Sequence, residues 1–320
     1  MGFEVLVTAP RLEAPGLELL QRAGCRVTFV DGGRPETERL LASRPFDGLL
    51  SRFVPISATA IASCPTLRVI SRAAAGHDII DVGAATARGI PVMTAAGANA
   101  QSVAEFAVGL MLAVARDIPG HDRRTHSGGW ERSRLGLELH GRRLALVGYG
   151  GIARAVARIA LAIGMRVAAW TPRLSGDLGS VERAESLHDL LRDVDVVSLH
   201  APLTAETRGM MGAAELRLLA PGAILVNTAR GGLIEERALA AALRAERLRG
   251  AALDVRVTEP PGEETPLAGV PRLLLTPHMG AATTVARGAT ARMAAENLLA
   301  VLEGRELGKG VCVNVEVLGG

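Results

Sequence analysis

The 320-residue chain is short of four things, and each shortage narrows what it can do. Aromatic residues make up 2% of it, and its 36 basic residues are scattered among 33 acidic ones rather than clustered. Nucleic-acid binding, which draws on basic patches and stacking rings, therefore has little support. Lysine occurs once, at Lys309, so nearly all the positive charge is arginine. Gly310 follows that lysine, which rules out a Gly-Lys-Ser/Thr phosphate loop. The three cysteines, Cys25, Cys64 and Cys312, are far apart and form no Cys-x-x-Cys pair. That argues against a disulfide framework or a thiolate metal site and fits a reducing compartment. Long apolar runs are missing too. The stretch 106–115 is too short to span a bilayer, and the opening residues, with Glu4 inside a short apolar run, lack the basic start of a secretory signal. The histidines show no metal-ligand spacing combined with carboxylates. The expectation is a cytoplasmic protein with no metal, membrane or nucleic-acid partner.

What is present is ordinary globular material, 48% hydrophobic and 22% charged, with length enough for about two domains. Short apolar runs alternate with helical patterns throughout, as in parallel α/β architecture. Strand cores are predicted at 5–8, 26–30, 48–50, 68–70 and 92–93, with helices at 17–22 and 36–42 between them. A long apolar helix is predicted at 100–114, then a polar, glycine-bearing arm or connector at 117–141. Strands resume at 144–147, 166–170, 194–199, 223–226, 251–255 and 273–275, before a helix at 284–302 and a short tail.

The run Leu144-Ala-Leu-Val147 breaks at Gly148 and Gly150, and from Ile152 the pattern turns helical. Strand, glycine turn and helix together aim backbone N–H groups and a positive helix end at a pyrophosphate. The fingerprint is Gly148-x-Gly150-x-x-Ala153, with Gly151 allowing close approach. It lies a whole domain's length into the chain, so the earlier residues handle something other than the dinucleotide.

Three polar residues follow apolar runs, where the strands of such a sheet end and ligands bind. Arg230 follows a run ending in Asn227-Thr228-Ala229; its planar fork suits a carboxylate. Glu259 precedes Pro260-Pro261, and His278 follows Leu274-Leu-Thr-Pro277. A histidine moves protons near neutral pH, and a carboxylate beside it favours its protonated form. With a nicotinamide alongside, these are the parts needed to interconvert a 2-hydroxy acid and a 2-oxo acid.

The stretches VNTARGGLIEERAL, GAALDVRVTEPP and LLLTPHMGAAT resemble those of the D-isomer-specific 2-hydroxyacid dehydrogenases, over about residues 47–297. The group includes phosphoglycerate dehydrogenase and glyoxylate/hydroxypyruvate reductase. The resemblance implies two doubly wound parallel-sheet α/β domains. A Rossmann dinucleotide-binding domain (99–285) would be inserted into a flavodoxin-like substrate domain (1–98 with 286–320), without the regulatory domain that some phosphoglycerate dehydrogenases append. It implies hydride transfer between a nicotinamide cofactor and C2 of a small D-2-hydroxy acid, of glyoxylate, hydroxypyruvate or 3-phosphoglycerate type. Arg230 would hold the substrate carboxylate, His278 would be the acid/base and Glu259 its partner. Asp254 would hold the nicotinamide amide, with Thr228, His200 and Pro202 beside the cofactor. The loop carrying Ala75, Gly76 and His77, together with Asn99, would line the substrate, and Arg52 matches an arginine that reaches the phosphate in phosphoglycerate dehydrogenases. A homodimer through the 117–141 arm is also implied. Glu259 argues against formate dehydrogenase, which has glutamine there. A phosphite dehydrogenase-like enzyme, or a dinucleotide-sensing interaction protein of the corepressor type, remains open on the same residues.

Cofactor choice turns on the end of the second strand after the fingerprint. An NAD site places Asp or Glu there for the ribose 2′-OH. This chain has Thr171, then Pro172 and Arg173, and no acid until Asp177. Removing the carboxylate removes a charge that repels a 2′-phosphate, so NADP is slightly favoured over NAD, with Thr171 and Arg173 as its contacts.

Overall fold

A computed structural model describes residues 2–172, 176–306 and 311–318. The chain divides into two compact units, Met1–Asn99 with Ala282–Gly320, and Ala100–Ala281. In the first, strands β1 (Glu4–Val7), β2 (Arg26–Phe29), β3 (Gly48–Ser51), β4 (Val69–Arg72) and β5 (Val92–Thr94) form a wholly parallel sheet in the order β2-β1-β3-β4-β5. This is the flavodoxin-like order, doubly wound about β1 and β3. The strands read as unbroken apolar runs because helices cover both faces. One face packs on the helix Thr284–Leu302, where Ala291, Ala294, Ala295 and Leu298 join Val5, Val7, Leu50 and Val69 in one buried cluster. Residues 311–314 return to the edge beside β5. Thr94 N donates to Val311 O at 2.8 Å, and the buried Asn314 accepts from Val92 N at 2.8 Å and donates to Ile90 O at 2.9 Å.

The second unit holds β6 (Arg143–Val147), β7 (Arg166–Trp170), β8 (Glu182–Arg183), β9 (Val196–Leu199), β10 (Ala223–Asn227), β11 (Leu248–Leu253) and β12 (Leu273–Leu275). All pairs are parallel, in the order β12-β11-β10-β9-β6-β7-β8. The order reverses between β6 and β9, the switch point at which doubly wound sheets bind ligands. Helix Ala100–Ala115 lies against helix Gly151–Ala162 in one buried cluster, with Ala104, Ala107, Ala153 and Ala157 keeping the packing close.

Two departures from the sequence reading have a clear physical reason. The polar stretch at 117–141 begins with a helix, Ile118–His126, which buries only Gly120 and leaves Ile118 exposed. A helix that buries almost nothing leaves no apolar period to read. Asp117 holds its start in the left-handed region (φ 46°), with Pro119 in the first turn. Strand β11 begins at Leu248 rather than 251, because the register against β10 shifts opposite Ala223 and accommodates the charged Arg249 that interrupts the apolar run.

Candidate active site

The C-terminal ends of the second unit's strands gather most of the polar residues picked out from sequence. After β6, Gly148 adopts φ 89° and donates its N–H to Trp170 O at 2.8 Å. A Cβ at Gly148 would meet the backbone of His200 and Ala201 at 2.7–2.8 Å, so only glycine lets the turn lie against the loop following β9. Gly150 opens the helix Gly151–Ala162 in extended conformation, with no side chain capping that helix end. Open space surrounds the position of its missing Cβ. Ile152 is half-buried and packs against the buried cluster that contains Ala153 and Val156.

His200 follows β9, and its Nε2 lies 2.9 Å from the hydroxyl of the buried Ser198. Burial pushes its imidazole down to about 4, so it is neutral at neutral pH. Pro202, two residues on, is exposed, and its carbonyl accepts the Thr207 hydroxyl at 2.7 Å. Thr171 is half-buried at the end of β7; Arg173 lies outside the described residues.

After β10 the buried Asn227 braces the turn, accepting from Ala229 N at 3.0 Å and donating to Arg230 O at 2.8 Å. The hydroxyl of Thr228 is buried with no hydrogen-bond partner among the described residues. Arg230 is half-buried, and its Nη1 donates to Ala229 O at 2.7 Å. Gly231 sits directly against the Arg256 carbonyl group, where any Cβ would overlap backbone. That contact brings the ends of β10 and β11 together.

Asp254, at the end of β11, is 1% exposed. Its Oδ1 accepts from Thr276 Oγ1 (2.6 Å) and Met279 N (2.7 Å), its Oδ2 from Gly280 N (2.8 Å), and its carbonyl from His278 N (2.8 Å). The turn that carries His278, which has φ 56°, is thus fastened to one buried carboxylate. The His278 side chain is 52% exposed, and its Nδ1 lies 2.7 Å from Glu259 Oε2. Glu259 Oε1 accepts from Arg256 N at 2.8 Å.

The pair is electrostatically coupled. The hydrogen bond that His278 donates to Glu259 raises its imidazole above the ordinary value, against burial and the charge of Arg230. Burial works against the Glu259 carboxylate, but its bonds to His278 and Arg256 N outweigh that and hold it below the usual range. The positive charge of Arg230 acts in the same direction on both groups, disfavouring the protonated imidazole and favouring the ionised carboxylate.

In the first unit, Arg52 follows β3 and is 10% exposed along its side chain. It pairs with Glu13 through two bonds of 2.7 Å. Arg72, at the end of β4, donates to Gly76 O at 2.6 Å and also to the Arg52 carbonyl, bracing the loop that contains the half-buried Ala75 and Gly76. Asn99 carries a buried Oδ1 with no hydrogen-bond partner among the described residues. Sequence reasoning missed Asn227, Ser198, Thr276 and the clamp at Arg72. Asn227 alone left a signal, as the polar end of an otherwise apolar strand.

A glycine turn at the switch point of this sheet defines a dinucleotide-binding α/β protein. Residues 108–280 match the family described as D-isomer specific 2-hydroxyacid dehydrogenase, NAD binding domain. A D-3-phosphoglycerate dehydrogenase of Methanocaldococcus jannaschii is 38% identical over 313 residues, 96% of this chain and 59% of that protein. A glyoxylate reductase of Aeropyrum pernix is 39% identical over 285 residues, 85% of this chain and 84% of the other. The crystal structure of an NADPH-dependent glyoxylate/hydroxypyruvate reductase from Sinorhizobium meliloti, in complex with NADP and malonate, superposes with a TM-score of 0.86 at 29% identity. That match covers 98% of this chain and 97% of the other. The chain belongs to the D-isomer specific 2-hydroxyacid dehydrogenase family. It spans about three fifths of the length of the phosphoglycerate dehydrogenases it matches. Among the described residues no helix is long and apolar enough to cross a membrane, and no group of His, Cys, Asp and Glu is set to hold a metal ion.

Proposed function

We propose that this chain interconverts a small 2-oxo acid and the corresponding D-2-hydroxy acid with a nicotinamide dinucleotide. The observation that carries the reading is the Glu259–His278 pair, with Arg230 following the neighbouring strand β10, on the same strand-end edge as the glycine turn. The turn at Gly148, the side-chain-free helix end at Gly150–Gly151 with Ile152, and the unpartnered Thr228 hydroxyl all fit a phosphate-bearing dinucleotide. His200, Pro202 and Asp254 occupy neighbouring strand ends on the same side. Such a cofactor supplies or accepts the hydride at the substrate's C2. Arg230 holds the substrate carboxylate, and His278 gives a proton to the forming C2 hydroxyl or takes it back. Glu259 fixes the imidazole through Nδ1 and leaves Nε2 for that exchange. In the first unit, Ala75, Gly76 and Asn99 are proposed as polar contacts for the acid. Turnover of a panel of 2-oxo acids with both reduced cofactors tests the whole reading, and no turnover with any pair removes it.

Reduction requires protonated His278. Its rate is therefore expected to be full below the raised imidazole value and to fall as pH rises through it; oxidation shows the opposite limb. Glu259→Gln removes the largest raising influence, so the limb should move to lower pH in profiles of kcat/KM. An unmoved limb contradicts the pairing.

Arg52 is already neutralised by Glu13, and this favours an unphosphorylated acid over a phosphorylated one. Arg52→Ala is expected to change kcat/KM for phosphohydroxypyruvate and for glyoxylate by similar factors. A loss confined to the phosphorylated acid restores phosphate recognition to Arg52. Thr171 in place of an acid supports a modest preference for NADPH, with Arg173 as a proposed second contact. Catalytic efficiencies with both cofactors at one substrate concentration decide this, and a clear NADH preference refutes it. A homodimer through the 117–141 segment is supported by Trp130 and Leu135, which stand 82% and 84% exposed on it.

A further inference from the structure

The ligand-binding edge of the second unit's sheet contains a pair that the turnover scheme leaves unused. Ser198, in β9, is 0% exposed, and its Oγ lies 2.9 Å from Nε2 of His200. The two residues are two apart, so both sit on one face of the sheet. That face carries Val196, Leu146 and Val226 in the cluster that includes Ala153 and Val156 of helix Gly151–Ala162. His200 N donates to Val147 O at 2.7 Å, which sets its backbone beside the glycine turn. The register of β9 on β10 pairs Leu199 with Asn227, so Thr228 comes level with His200. Thr228 shares the face of Val226, and its buried hydroxyl also lacks a partner among the described residues.

A buried hydroxyl must place its proton on an acceptor, and Nε2 is the one that Ser198 Oγ meets among the described residues. The reverse arrangement, with Nε2–H donating to Oγ, would leave the hydroxyl proton buried and unsatisfied. Ser198 therefore donates, Nε2 accepts, and the neutral ring carries its proton on Nδ1. Burial keeps the ring neutral, pushing its imidazole down to about 4. Nδ1 makes no hydrogen bond to any described residue. We propose, resting on the function proposed above, that Ser198 is a positioning residue. It locks His200 in the Nδ1–H tautomer, and the ring donates a hydrogen bond to an oxygen of the bound dinucleotide. Doubly wound sheets bind ligands at the switch point, and β6 and β9 are the strands that flank it here. A donor already fixed in the right tautomer needs no reordering on binding, and a neutral one avoids burying a charge. The Thr228 hydroxyl, level with the ring, is a second group able to bond the same ligand.

The test combines nitrogen NMR of the full chain, labelled at histidine, with calorimetric titration of NAD and NADP. The His200 signals, assigned by their loss in His200→Asn, should show a protonated Nδ1 and a bare Nε2 in wild type without cofactor. Ser198→Ala should move both toward the Nε2–H pattern, and Ser198→Thr, which restores a hydroxyl, should move them back. Dinucleotide affinity should fall about three- to tenfold in Ser198→Ala, as loss of one hydrogen bond implies. His200→Gln can keep the contact with Ser198 but lacks a donor at the place of Nδ1, so it should weaken binding equally. His200→Asn puts its amide nitrogen at that place and should stay within about twofold of wild type. A merely structural role predicts the reverse order of these two variants, and that order overturns the proposal. An Nε2–H tautomer in wild type overturns it too, and this measurement needs no variant at position 198 to fold. Dinucleotide binding indifferent to Ser198→Ala and His200→Gln overturns it alone and leaves the proposed function standing. Absence of binding by either dinucleotide overturns both.

Discussion

Replacing His278 by alanine is expected to lower kcat by about two to four orders of magnitude while leaving cofactor titration nearly unchanged. The imidazole is the group poised to exchange a proton with the substrate oxygen, and the glycine turn that suits the pyrophosphate lies on a different strand end. The backbone adds a complication that the right pair of variants resolves. His278 stands at φ 56°, where alanine is strained and asparagine is tolerated. His278→Asn therefore removes the proton donor with less disturbance to the turn that Asp254 holds. Both variants should be inactive, with the asparagine form melting closer to wild type. Near-normal turnover in His278→Asn would exclude histidine from the chemistry.

The second large effect is expected at a residue with no side chain. Gly231 lies so close to the Arg256 carbonyl group that an added methyl must push apart the turns following β10 and β11. Arg230 precedes it on one turn, and Arg256 N holds Glu259 on the other. Gly231→Ala should thus misplace the guanidinium relative to the Glu259–His278 pair. Overpacking of this kind costs about 1–3 kcal/mol of stability. A misplacement of about 1 Å can cost a hundredfold in rate. Melting temperature and kcat/KM measured together check both. Wild-type activity in this variant would show that the spacing of the two turns does not matter for turnover.

Much of the architecture was legible because the parallel strands are buried on both faces and read as short apolar runs ended by a polar residue or glycine. Arg230, Glu259 and His278 were visible for the same reason, each following such a run at the sheet's ligand-binding edge. The helix Ile118–His126 escaped because it buries only a glycine. The pairing of Arg52 with Glu13, 39 residues away, left no local trace, so the sequence offered the arginine as a free cation. Asp254 showed its position but not its use. Its hydroxyl and amide donors come from a turn more than 20 residues further on, and nothing in the run Leu253-Asp254-Val255 hints at them. The departure at Thr171 was legible since it depends on one position counted from the fingerprint.

The discontinuity of the first unit bears on how the chain is made. Its sheet is laid down within the first 99 residues, but the helix Thr284–Leu302 that covers one of its faces is synthesised only after the whole of Ala100–Ala281. At ribosomal speeds of about 5–20 residues per second, that gap lasts roughly 10 to 40 s. Throughout it Val5, Val7, Leu50 and Val69 lack the part of their helical cover that Ala291, Ala294, Ala295 and Leu298 supply in the finished protein. The second unit, continuous in sequence, can reach its folded form on the ribosome first. The amino-terminal strands must wait for it, as an apolar surface open to chaperones and to aggregation until the carboxy-terminal helix emerges.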